Sequence, residues 1–234
     1  LGDKVVPQEY TKSKDFKITW THSQDAKANP YRSFSASVNF ATSSYDRNQL
    51  TNIYNQNSTS NTKGSSVSLS QRFPNSPFSL SATMNVNQRS RDSSISVTLP
   101  DVSITMSRIY PFKRKHAVGS EKWFEKISMS YSGYLRNSID TKESKLMKSS
   151  LVKDWRNGMQ HNIPVSATFT FLKYINISPS FNYTERWYTS KVMQAWNETS
   201  NRLMPSDTIY GFNRVYNYNA SLSASTTMYG FYKP

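Results

Sequence analysis

The chain has 234 residues, with 29 Lys and Arg against 15 Asp and Glu, no Cys, and a mean hydropathy of -0.68. The missing Cys excludes a disulfide scaffold, a zinc knuckle and thiol catalysis, and no run approaches the roughly 18 consecutive apolar residues of a membrane helix. Tyr, Phe and Trp number 15, 12 and 5, which is too aromatic for a disordered chain. The start at Leu1, without a leader pattern, is expected for a mature product or an excised piece.

A period of two runs through the chain, and helical spacing is nearly absent. In chain order, Phe16, Ile18 and Trp20 open the pattern over about 15–22, and Phe34, Ala36, Val38 and Phe40 alternate with Ser and Asn over 31–42. Val67 and Leu69 mark 64–73. Over 77–88 the even positions Phe78, Leu80, Ala82, Met84 and Val86 alternate with Ser79, Ser81, Thr83, Asn85 and Asn87. Successive side chains of a strand point to opposite faces, so this segment carries one apolar and one polar face. Ile95, Val97 and Leu99 are odd while Val102, Ile104 and Met106 are even. That change of step at Pro100-Asp101 predicts one strand over 93–109 with a one-residue bulge, where a proline is tolerated. Ile127, Met129 and Tyr131 mark 123–137, Ile163 to Phe171 mark 158–172, Ile175 to Tyr183 mark 174–188, and Tyr216 to Ala224 mark 209–228.

With the bulge, every second connection from the 43–63 loop onward falls at one end of the sheet, and the three longest (43–63, 138–157, 189–208) share it. Long loops at one end, short turns at the other and a dyad repeat over strands of about 10 residues are the pattern of an antiparallel transmembrane β-barrel. Aromatics flank the turns where interfacial girdles lie: Phe73 and Phe78, Trp123 and Phe124, Phe171 and Tyr174, Trp187 and Tyr188. The expected lumen-facing residues are Ser79, Ser81, Thr83, Asn85, Ser166, Thr168, Thr170, Ser178, Ser180 and Asn182. The expected lipid-facing residues are Phe78, Leu80, Met84, Val86, Val165, Ala167, Phe169, Ile177 and Phe181. About nine strands, an odd number, leave an open edge, so residues 1–234 are expected to be a single segment of a larger barrel domain, without an N-terminal periplasmic domain or closing strands.

Chemical motifs are absent: there is no nucleophile elbow, Walker loop, dinucleotide fingerprint or H-E-x-x-H. His22, His116 and His161 lack ligand spacing, and neither Asp140 with Glu143 nor Asp154 with Glu185 is placed as an acid–base pair by sequence. No enzyme activity, metal or cofactor is expected. The formal charge of +14 concentrates in Lys113, Arg114 and Lys115 and in the cluster around Lys145 and Lys148. These five are candidates for contact with phosphorylated lipid headgroups, against the plainer reading of solvated loops. The spacing of Leu146, Ser149, Ser150 and Lys153 suggests a short amphipathic helix.

Five stretches carry a resemblance: RFPNSPFSLSATMNVNQRS (72–90), LPDVSITMSRIYPFKRK (99–115), EKISMSYSG (125–133), DWRNGMQHNIPVSATF (154–169) and ISPSFNYTERWY (177–188). Together they are similar to the barrel of the LptD-like lipopolysaccharide-assembly proteins of Bacteroidota. The resemblance implies the middle of a large barrel in the Gram-negative cell outer membrane that inserts lipopolysaccharide into the outer leaflet. Implied partners are lipopolysaccharide, outer-membrane lipid, a periplasmic lipopolysaccharide-bridge protein and a plug lipoprotein, with no nucleic acid. Two other classes fit the residues themselves: another large barrel, porin or nutrient receptor, and a secreted basic β-sandwich that binds anionic polymer.

Overall fold

The computed structural model describes residues 16–42, 44–45, 62–116 and 118–227. Their strands are β1 (Lys17–Ser23), β2 (Arg32–Ala41), β3 (Thr62–Arg72), β4 (Phe78–Arg89), β5 (Ser94–Ile109), β6 (Ser128–Lys142), β7 (Arg156–Ser166), β8 (Phe169–Phe171), β9 (Ile175–Asn197) and β10 (Arg202–Thr226). All ten belong to one antiparallel sheet, ordered β1-β2-β3-β4-β5-β6-β7-β9-β10, with β8 paired to β9. The sheet is not closed among the described residues, and β1 and β10 are its edges. A sandwich needs a second sheet packed face to face, and the described strands offer none.

Local chemistry sets the short turns. Asp25 and Asn29 accept from the backbone N–H groups of Lys27 and Tyr31 at 2.8 and 2.9 Å, which bends β1 into β2. Asp92 accepts from the N–H and hydroxyl of Ser94 between β4 and β5. The turn expected at Lys173-Tyr174 centres on Leu172 and Lys173, both at positive φ, where Tyr174 N donates to Phe171 O at 3.3 Å. Registers of β7 and β8 on β9 are continuous: Ser166 faces Ser180 and Phe169 faces Ile177. The expected strand 158–172 is therefore one path that lapses opposite Pro179, which has no N–H to give.

The change of step in β5 is a bulge. Thr98 faces Asn85 and Asp101 faces Thr83, so Leu99 and Pro100 together oppose Met84; on the other side they oppose Asn137. The extra residue returns Val102, Ile104 and Met106 to the face that holds Ile95 and Val97.

Two boundaries differ from expectation. Residues 123–126 form a 3-10 turn, so β6 starts later and runs through Lys142, where only Ile139 marks the apolar face. The 189–208 segment is not a loop: β9 and β10 continue as a hairpin to Asn197 and Arg202, with shifts of register at Pro205/Asp207 and Tyr210/Asn213. Backbone hydrogen bonds carry that ladder, because Lys191 to Trp196 show no clean alternation to read. The 43–63 loop and the end of the chain past Thr227 lie outside the described residues, apart from 44–45 and 62–63.

The bulge makes a sharp prediction. Deleting Pro100 restores one-to-one pairing with the apolar residues on both sides still on one face, so assembly should survive. Deleting Ser103 cannot keep the apolar residues on one face: with the bulge kept, Ile104 and Met106 turn to the polar face, and with it lost, Asp101 turns to the apolar face and Val102 to the polar one, so assembly should be lost, measured as loss of the heat-modifiable folded band on unheated gels.

Candidate functional site

Register collects the polar positions into a continuous wall. Ser81 lies between Ser70 and Ser103, Thr83 between Ser68 and Asp101, and Ser180 between Ser166 and Ser221. Cross-strand hydroxyl pairs link it: Ser35 with Ser68 at 2.7 Å, Ser79 with Thr105 at 2.6 Å, Ser180 with Ser221 at 2.6 Å and Ser128 with Ser166 at 3.1 Å. Thr168 pairs with Ser178 and Thr170 donates to Asn176. All ten residues expected on the polar side share this face, with Asn85 beside Ser66 and Thr98, and Asn182 beside Pro164 and Asn219.

Charged residues stand in the same rows, and a reading confined to Ser, Thr and Asn passed over them. Arg136 donates twice to Asp101 Oδ2, at 3.0 and 2.6 Å. Arg186 donates to Gln160 Oε1 at 3.1 Å and to Asn217 Oδ1 at 3.4 Å, and Arg156 pairs with Asp140. Their sequence signal was parity, since each is in step with the polar positions of its strand. The wall thus offers hydroxyls, amides and guanidinium groups to a solvated ligand. Among the described residues no group of three His, Asp or Glu is placed to hold a metal ion.

The opposite face holds every expected apolar residue. Phe78 faces Met106, Leu80 faces Ile104, Met84 faces Val67, Val165 faces Phe181 and Phe169 faces Ile177. Ala167 donates its N–H to Pro179 O and is buried. Val86 is on this face too, but it is covered: it forms a buried cluster with Ile95, Val97 and Ile139, against which Leu146 and Trp155 pack.

One polar network interrupts the apolar face. Glu185 accepts from Tyr183 Oη and Trp187 Nε1, each at 2.7 Å, and Arg214 Nε lies 3.3 Å from it. His161 faces Glu185 across the ladder, shares a 2.8 Å hydrogen bond with Tyr131 Oη, and contacts the Trp187 ring with centroids 4.2 Å apart. Glu185, Asp140 and Asp154 have separate partners, the last accepting from Ser150 N. The visible signal was Glu185 and Arg214 at apolar positions.

The five basic candidates divide between the two ends of the sheet. Lys113, Arg114 and Lys115 lie in the β5–β6 connection, at the end of the β3–β4 turn; Lys145 and Lys148 lie in the β6–β7 connection, at the other end. In the first cluster, Lys113 pairs with Glu121 at 2.9 Å and Arg114 pairs with Glu125. Glu125 is 2% exposed and also accepts from the N–H groups of Lys122 and Arg114. The Arg114 guanidinium, then those N–H groups, hold its carboxyl down to about 2. Lys113 is raised by its bond to Glu121.

A model of the family described as LptD protein matches residues 2–234. This chain belongs to the LptD protein family. It is therefore an outer-membrane protein of the lipopolysaccharide-transport class, a family of transport and assembly rather than catalysis. No curated protein and no solved structure matches the chain.

The Glu125 contacts predict a pH response. A depressed carboxyl contributes stability that is fully present above its unfolded value, near 4.5, and is lost as pH falls through about 2. Fluorescence of the adjacent Trp123 should stay flat from pH 7 to about 3 and change below it. In Glu125→Gln the change should already be present at pH 7.

Proposed function

We propose that this chain forms part of the wall of an outer-membrane translocon that inserts lipopolysaccharide into the outer leaflet. Its partners would be a periplasmic bridge protein that delivers the lipid and a plug lipoprotein in the lumen. The observation that carries the reading is a sheet of the LptD family with one polar and one apolar face along its strands. Its polar face would line the lumen and its apolar face would meet hydrocarbon.

Both ends of the sheet support this orientation. Each of the four connections at the β3–β4 end carries exposed aromatics: Tyr31, then Phe73 with Phe78, Tyr110 with Phe112 and Trp123, and Phe171 with Tyr174. Aromatic rings of mixed polarity favour the membrane–water boundary, and short turns belong to the periplasmic side. Measured from Ile175, Glu185 lies ten residues along β9. At about 3.3 Å per residue and a tilt of about 40°, that is about 25 Å along the membrane normal, the height of an apolar band. The Glu185–Arg214–His161 network would then sit at the outer boundary, where polar groups reach headgroups and water.

Transfer along such a wall depends on shape and solvation. Hydroxyl, amide and guanidinium groups replace the water around a sugar–phosphate headgroup as it passes, while acyl chains remain with the hydrocarbon. No bond is made or broken, so the driving energy must come from elsewhere in the pathway.

Depleting the full-length protein in its host should remove lipopolysaccharide from the cell surface and accumulate it inside. Complementation should fail with Ala82→Arg, which puts a charge on the lipid face four residues in from Phe78 at a cost of about 2–4 kcal/mol near mid-bilayer, and succeed with Ser81→Arg. Normal surface lipopolysaccharide after depletion contradicts the translocon, and equal failure of both variants contradicts the two-face assignment.

A further inference from the structure

The β6–β7 connection is an ordered strap. A short helix, α1 (Glu143–Leu146), follows β6. Glu143 N donates to Ser93 O at 3.0 Å and Lys142 Nζ to Asp92 O at 2.6 Å, which ties the start of the strap to the neighbouring β4–β5 turn. Ser149 Oγ donates to Leu146 O and receives Trp155 Nε1, and Asp154 and Ser150 bond reciprocally. Asn157 Nδ2 donates to Leu151 O at 2.5 Å and holds the return into β7.

Held this way, the strap folds over the apolar face and leaves a cavity of about 450 Å³ beneath it. Phe40, Val67, Met84 and Val97 form the floor, and Leu146 and Trp155 form the roof. The volume is in the range of small-molecule sites, and the lining is apolar except for Ser65 and Ser66.

The outside of the strap has a different character. Between residues 142 and 156 there are five basic residues (Lys142, Lys145, Lys148, Lys153, Arg156) and two acidic ones (Glu143, Asp154). Leu151 is 66% exposed beside these lysines, and Met147, 94% exposed, stands at the mouth of the cavity that it helps to line. Exposed apolar residues interleaved with lysines characterise elements that lie in a membrane interface and attract anionic lipid.

We propose that this cavity seats one acyl chain of an anionic, phosphate-bearing lipid of the surrounding outer leaflet, with Lys145 and Lys148 at its headgroup. The lipid enters from the bilayer, not from the lumen, because the floor belongs to the apolar face. Charge complementarity selects the headgroup, and the apolar, preformed slot selects the chain. This inference rests on the reading of that face as the lipid face, so the test separates the two.

The full-length protein in nanodiscs would be irradiated with a phosphatidylglycerol carrying a diazirine in its acyl chain, and crosslinked peptides mapped by mass spectrometry. Labelling is expected on the peptide spanning 146–155 and around Val97, displaced by lipid A or unlabelled phosphatidylglycerol but not by phosphatidylcholine. In the Lys145→Glu, Lys148→Glu variant, whose changes are confined to the exposed strap, it should fall by roughly tenfold or more, as removal of two surface lysines predicts. Labelling at Phe181 and Val165 should persist. Label at Phe181 and Val165 but not under the strap overturns the site and leaves the lipid face standing. Label on Ser81 and Ser180 instead overturns the lipid face itself. Equal displacement by phosphatidylcholine, or no effect of the lysine changes, overturns selection of an anionic lipid.

Discussion

A strand can show each residue to only one of two sides, and every feature of this sheet depends on keeping that choice consistent across ten strands. Register does the work. A slip of one residue at any ladder would move a whole row of Phe, Leu, Val and Met into the polar wall. Direct pairing of Val67 with Met84, Val86 with Val97 and Val97 with Ile139 fixes the step, each pair contributing a few tenths of a kcal/mol and all of them acting in the same direction. The Leu99-Pro100 bulge belongs to the same logic, since a strand that changes parity needs one extra residue to keep its apolar half in place.

The two faces solve different problems. On the polar side, hydroxyls and amides pair across strands, and the arginines are met by Asp101, Asp140, Gln160 and Asn217, while Asn39 Oδ1 and Asn182 Oδ1 are buried without a partner. On the apolar side, much of the surface is left open by the chain itself: Ile18, Trp20, Phe78, Ile104 and Phe181 are all exposed. A soluble protein would have to cover such a surface, whereas a membrane covers it with hydrocarbon. The Glu185 network is the exception: Tyr183, Trp187 and Arg214 surround its carboxylate, while His161 Nε2 is buried without a hydrogen-bond partner.

Strands were legible wherever alternation was strong, as in Phe78 to Val86 or Ile175 to Tyr183, and the bulge was legible from parity alone. Three things were not. The β9–β10 extension is held by main-chain pairing, which leaves no trace in the side chains of Lys191 to Trp196. The strap's apolar contacts come from Leu146 and Trp155, nine residues apart, and their shared target emerges only once the chain folds back. Segregation of the basic residues was hidden for another reason: Lys113 to Lys115 and Lys145 to Lys148 look alike in sequence, and only topology sends them to opposite ends, where the first cluster is largely engaged with Glu121 and Glu125.

The central claim is that one face of this sheet is wet and the other meets lipid, and the absence of native Cys in this chain makes a direct measurement simple. Single cysteines placed at each position from 78 to 88 in the full-length protein, with any Cys outside residues 1–234 changed to Ser, would be probed in intact outer membranes with a charged, membrane-impermeant thiol reagent. The account predicts reaction at 79, 81, 83, 85 and 87 and protection at 78, 80, 82, 84, 86 and 88. Uniform reactivity along the strand, or the opposite parity, would contradict it.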